Sequence, residues 1–174
     1  MPGGWVKAMG MFETALVLAT FLCSLIAGFL FAFAIAVMPG LRRLDDTGFL
    51  RAFKAIDGII QGNQPVFLVV WVGSALALMA AAVLGLNAQE GSARIQLIVI
   101  TLVYLLGVQV PTIAINVPLN NAIQKLDLEA IEAAGARRAR EAFETRWNRW
   151  NVVRTICACV ASASLLLIVI RVVD

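Results

Sequence analysis

A chain of 174 residues suffices for one domain, yet 61% of it is apolar and only 14% is charged. Soluble domains carry about 45–50% apolar and about 25% charged residues, which excludes a soluble enzyme, a nucleic-acid binder and a disordered tail. The net charge of +3 follows membrane topology, as the distribution below shows, and does not mark a nucleic-acid partner. There is no histidine, so the commonest metal ligand and the usual acid–base side chain near neutral pH are both missing.

Uncharged runs cover residues 14–41, 58–89, 95–124 and 155–170. A helix needs roughly 20 apolar residues to cross a hydrocarbon layer of about 30 Å. Three runs reach that length. The fourth does so when Arg154 and Arg171 snorkel from its ends. The first run is far longer than the roughly 7–15 residues of a signal-peptide core. The expectation is an all-α, integral membrane, antiparallel four-helix bundle. It forms one domain over 1–174, with spans near 13–39, 65–86, 95–118 and 151–172.

In the first span Gly28, Ala32, Ala36 and Gly40 recur every four residues, as Gly73, Ala77, Ala81 and Gly85 do in the second. Small residues at this spacing let helices approach closely in lipid. They serve packing within the bundle or, alternatively, a seam between copies in a homo-oligomer. The loop after the first span reads as an amphipathic, surface-bound helix with Phe49, Phe53, Ile56 and Ile60 on one face. Asp45 or Asp46 caps it, and Arg51, Lys54 and Asp57 point elsewhere. Pro65 suits the first turn of the second span. The second loop, 125–154, is also helical by pattern, with Arg137/Glu141 and Arg140/Glu144 as i, i+4 pairs.

Cys23, Cys157 and Cys159 form no metal-ligand spacing and read as buried apolar thiols. No metal and no other cofactor is expected. The third span is more informative. Gln109, Thr112, Asn116 and Asn120 share one face, and Pro111 and Pro118 interrupt the same stretch. Prolines break the hydrogen-bond ladder, and irregular backbone at membrane depth is tolerated where it is buried or lines a cavity. Trp147, Trp150, Asn151 and Arg154 fit one face at the start of the fourth span, and Gln61, Asn63 and Gln64 open the second. Topology brings these groups to one depth. A ligand site and an interfacial belt of aromatic and amide residues both remain open at this point.

The segment Asn116-Val-Pro-Leu-Asn-Asn121, followed by Trp147-x-x-Trp-Asn-x-x-Arg154, resembles the anthrone-oxygenase-like family of small four-span membrane proteins. Asn63-Gln-Pro-x-Phe67 is similar to that family's second-helix opening. The resemblance implies oxidation of a lipophilic, anthrone-like aromatic by molecular oxygen. On that reading Arg154 with Asn120 or Asn151 holds an oxyanion, and Trp147 or Trp150 covers an aromatic face. Asp57 is the one nearby acid that could accept a proton, although a solvated loop position is the commoner role for such a residue. Asn116, Asn63 and Gln64 complete the binding set. The alternative is a non-catalytic membrane protein that binds a hydrophobic ligand or partner at the same recess.

Lys and Arg sort by side. Lys7, Arg94 and Arg171 lie on one, while the loops after the first and third spans carry the other eleven. The positive-inside rule places both termini outside the cell membrane and both larger loops in the cytoplasm. A cysteine at position 135 should therefore label only after the cytoplasmic face is made accessible. Labelling from the outer face alone would reverse this topology.

Overall fold

The computed structural model describes residues 9–62 and 64–173. Among the described residues there are five helices: α1 (Met11–Leu41), α2 (Asp46–Gln61), α3 (Pro65–Ala88), α4 (Gly91–Gln124) and α5 (Ala133–Val173). All but α2 are long and apolar enough to cross a bilayer, which makes this a multi-pass helical membrane protein. At 41 residues, α5 is roughly 60 Å long at 1.5 Å per residue, about twice the hydrocarbon thickness. Its first turns therefore stand beyond the apolar layer, where Arg137–Glu141 (2.9 Å) and Arg140–Glu144 (2.8 Å) pair as their spacing requires.

Local chemistry sets the helix boundaries. Asp45 caps α2, its Oδ1 accepting from the Gly48 N–H at 2.8 Å. Gln64 caps α3 by accepting from the Phe67 N–H, and Pro65 occupies the first turn, where its missing N–H is not needed.

The position of α2 departs from the surface-bound expectation. Phe49 and Phe53 are fully buried and pack edge-on against Phe143, Phe53 at 4.5 Å between ring centroids. Arg140 staples the turn before α2 onto α5 by donating to the Arg42 and Leu44 carbonyls and to Asp46. Lys54 donates to the Leu126 carbonyl in the loop before α5. With aromatic side chains of this size available, burial against α5 competes successfully with burial against lipid. Asp57 follows Phe53 by one turn and goes inward with it, to 3% exposure. It is not the solvated residue the pattern suggested.

The two small-residue stripes also part company. Ala77, Ala81 and Gly85 are buried, and a Cβ on Gly85 would lie 2.5 Å from Leu97. That stripe is what lets α3 sit against its neighbours. Gly28, Ala32, Ala36 and Gly40 all face outward, and neither glycine has an atom within 4 Å of its ideal Cβ position. They do not pack this bundle. Among the thiols, Cys23 is buried and Cys157 half-buried, but Cys159 is exposed, because alternate residues of a helix cannot share a face.

Three π-turns interrupt the spans: Phe33–Val37, Leu105–Gln109 and Thr112–Asn116. Each ends two residues before a proline, Pro39, Pro111 or Pro118. A proline ring crowds the carbonyl four residues back, and one extra residue in the turn moves that carbonyl aside. The N–H groups of Met38, Val110 and Val117 accordingly reach back five residues, to Phe33, Leu105 and Thr112. The local widening swings Phe33, Val108, Thr112 and Asn116 to the wall of one cavity.

Ala81→Leu should lower the unfolding midpoint in detergent, since overpacking a filled interface costs about 1–3 kcal/mol. Ala32→Leu should leave it unchanged. Equal losses would show that the first stripe is covered after all.

Candidate functional site

The cavity lies at the end of the bundle that carries α2 and measures about 210 Å³. An engineered cavity of roughly 150 Å³ admits one benzene, so there is room here for a larger planar arene. Its walls are Phe29, Phe33, Phe67, Trp71, Leu30 and Val108, and its polar lining comes from Asp57, Thr112, Asn116, Asn120, Asn151 and Arg154.

Asp57 sits at one end, bound only by neutral amides. Asn120 donates to Oδ1 at 2.7 Å, while Gln61 and Gln124 donate to Oδ2 at 2.8 Å each. Burial pushes its carboxyl above the ordinary carboxylate range, and the Gln124, Gln61 and Asn120 donors offset that only in part. An ionised carboxylate accepts about four hydrogen bonds, so one lone pair is left for a ligand proton. Asn120 is held in turn by Trp147, whose Nε1 donates to its Oδ1 at 2.7 Å.

Arg154 lies further into the bundle and is 5% exposed. Nη1 donates to Thr112 and Nη2 to Asn151, both at 3.0 Å, and the guanidinium stands 5.7 Å from the Trp147 ring centroid. No carboxylate among the described residues pairs with it. Its Nε has no hydrogen-bond partner in the protein, and neither do Trp71 Nε1 and Asn116 Oδ1. All three residues line the same cavity. A buried unpaired donor or acceptor costs about 1–3 kcal/mol, and more for a charged group. Two donors and an acceptor without partners, on residues that line one cavity, leave hydrogen-bonding capacity beside it.

The predicted site residues meet unevenly. Asp57, Asn116, Asn120, Trp147, Asn151 and Arg154 all line the cavity. Asn151 is committed on both sides, donating to the Leu30 carbonyl while it accepts from Arg154, so it positions the guanidinium. Gln64 is the α3 cap, Trp150 is half-buried outside the lining, and Asn63 lies outside the described residues. Gln124 and Trp71 join the site without having been proposed for it, and Gln61, named from the sequence only as part of the second span's opening, binds Asp57. Gln124 extends the α4 polar face by one turn from Asn120, a legible signal. Trp71 carries no such signal.

These features define a small multi-pass membrane protein with an apolar cavity bracketed by a buried acid and an unpaired arginine. The family model for anthrone oxygenase matches residues 61–164, more than half of the chain, and the chain belongs to that family. The match takes in α3, α4 and the start of the fourth span, but not Asp57. No curated protein and no solved structure matches the chain.

Because its charge has no partner to lose, Arg154→Met should keep the unfolding midpoint or raise it. Trp147→Ala should cost about 3–5 kcal/mol. A large loss from Arg154→Met would make the arginine a structural tie.

Proposed function

We propose that the protein is a membrane oxygenase that oxidises a lipophilic, anthrone-like aromatic with molecular oxygen, using no bound cofactor. The observation that carries this reading is the separation of opposite chemistries along α4. Asn120, which holds Asp57, and Thr112, which holds Arg154, are eight residues apart, on the order of 10 Å at helical rise. That spacing suits the two poles of a central ring, with a methylene at one and a carbonyl oxygen at the other.

Asp57 accepts a proton from the methylene, and the charge moves through the ring to the carbonyl oxygen. There Arg154 and the Trp71 N–H stabilise it in a water-poor site. The electron-rich anion gives electrons to oxygen, and a C–O bond forms to a peroxide that takes up a proton. The second methylene proton leaves as the O–O bond breaks, which releases water and leaves a new carbonyl. One oxygen molecule is consumed per quinone and water formed. Phe29, Phe33 and Trp147 supply the aromatic contacts that keep the ring plane fixed.

The Lys and Arg distribution supports a place in the inner membrane with both termini outside and the site at the cytoplasmic end. A non-catalytic ligand-binding role stays distinguishable from it. The engagement of both Asp57 oxygens by amides favours that role, since such a carboxyl could serve structure alone.

Oxygen uptake with an anthrone in liposomes separates the two. Arg154→Ala should lower the rate by about 10²–10³, and Arg154→Lys should also be impaired because lysine lacks the planar fork. Arg146→Ala, on an exposed face, should not change it. Equal losses at 146 and 154 would mean an anchoring role.

The pH profile tests the acid. The base works only when ionised, and its pKa is raised, so the rate should fall with falling pH before the ordinary carboxylate value of about 4 is reached. Asp57→Asn should remove that limb and cost about 10²–10⁴ in rate while dihydroxyanthraquinone still binds. An unaltered profile would remove Asp57 from the chemistry.

A further inference from the structure

Resting on this reading of the cavity, we propose that its ligand arrives sideways from the lipid, through a gap between α3 and α4. The helix packing opens that gap. α3 runs along α1 and meets α4 only over its first part, Gly91–Tyr104, after which the π-turned half of α4 packs on α5 and α2. The Gln109 amide, donating to the Trp71 carbonyl at 3.4 Å, is the last tie between them. Beyond it Leu68 on α3 and Val117 on α4 both line the cavity, yet they are 49% and 39% exposed, next to the exposed Val69 and Ile113 that do not line it. A residue that borders an internal space and the lipid-facing surface at once marks an opening between the two.

The water-facing side is closed over most of its width by contrast, and reaches the surface at Gln61, which lines the cavity at its corner and is exposed. Phe53 and Asp57 are 1% and 3% exposed, and α2 is pinned from beneath by Lys54 and Gln124, the latter donating to the Lys54 carbonyl at 3.0 Å. Opening that side would break the aromatic cluster and the amide clasp around Asp57 together. Beyond Gln109 no hydrogen bond among the described residues joins α3 to α4 across the lipid side. The flanking side chains are aliphatic, so the occupant suited to the gap is a planar arene already dissolved in the bilayer, its polar edge directed inward at the unpaired groups of Arg154, Asn116 and Trp71.

The test uses full-length protein in liposomes and dihydroxyanthraquinone delivered from a second vesicle population, with binding followed by the dye's own emission. Leu68→Trp and Val117→Trp should slow association and dissociation together, by about tenfold, with little change in affinity, as expected for a narrowed passage. Val69→Trp and Ile113→Trp, outward-facing neighbours that do not line the cavity, should match the wild type. Slowing by Gln61→Trp at the water-side corner, with Leu68→Trp at wild-type rates, would overturn the side route while leaving the site in place. Retained rates with lost affinity would assign Leu68 and Val117 to the binding wall. Failure of the dye to bind the wild type would overturn the reading of the cavity, and the route with it.

Discussion

A guanidinium buried inside the bundle and held by a threonine hydroxyl and an asparagine oxygen, with no carboxylate pairing with it among the described residues, is the constraint around which this bundle is arranged. A buried charge is costly, and the two neutral acceptors around Arg154 satisfy only part of its donor capacity. The neighbouring asparagine, threonine and tryptophan positions make sense as supports for that charge. So does the separation of Asp57, which α2 brings to Asn120 and not to Thr112, so that the two do not form an ion pair. A direct pair would cancel both charges and leave the cavity chemically idle.

Space for the pair comes from the backbone. Three prolines, each preceded by a π-turn, widen α1 and α4 at the depth where the polar groups lie, and the freed volume is lined instead of filled. The short helix α2 then closes the end by burying Phe49 and Phe53 against Phe143 and Trp147. In doing so it carries Asp57 into the cavity from outside the membrane-spanning segments. The prolines account for the widening, and the aromatic face of α2 accounts for the admission of the acid.

Much of this was legible in the residue order. Charge-free runs gave the spans, since lipid imposes a length and composition that few other environments do. The α4 polar face was read at ideal helical spacing, but two π-turns, Leu105–Gln109 and Thr112–Asn116, shift the register there. Thr112, Asn116 and Asn120 line the cavity, while Gln109 turns to the Trp71 carbonyl and, on the α5 face, Trp150 stays outside the lining. Asp57 was harder. Its place one turn after Phe53 put it on the buried face, but a carboxylate on an amphipathic loop helix is ordinarily solvated, and only packing against α5 decides otherwise. Trp71 and the outward-facing Gly28 stripe could not be read at all, because a uniformly apolar helix gives no periodic signal for which side faces protein and which faces lipid.

The central claim is that Arg154 waits for an oxyanion, and ionisation of a bound phenol reports on that most directly. Dihydroxyanthraquinone changes colour when a hydroxyl ionises, so its titration can be followed by visible absorption in the protein and in protein-free liposomes. Bound to the wild type, the dye should ionise at lower pH than in lipid alone, and Arg154→Met should return it to the lipid value or above. Identical titrations in the wild type and Arg154→Met would show that the guanidinium does not face the ligand, and would contradict the account.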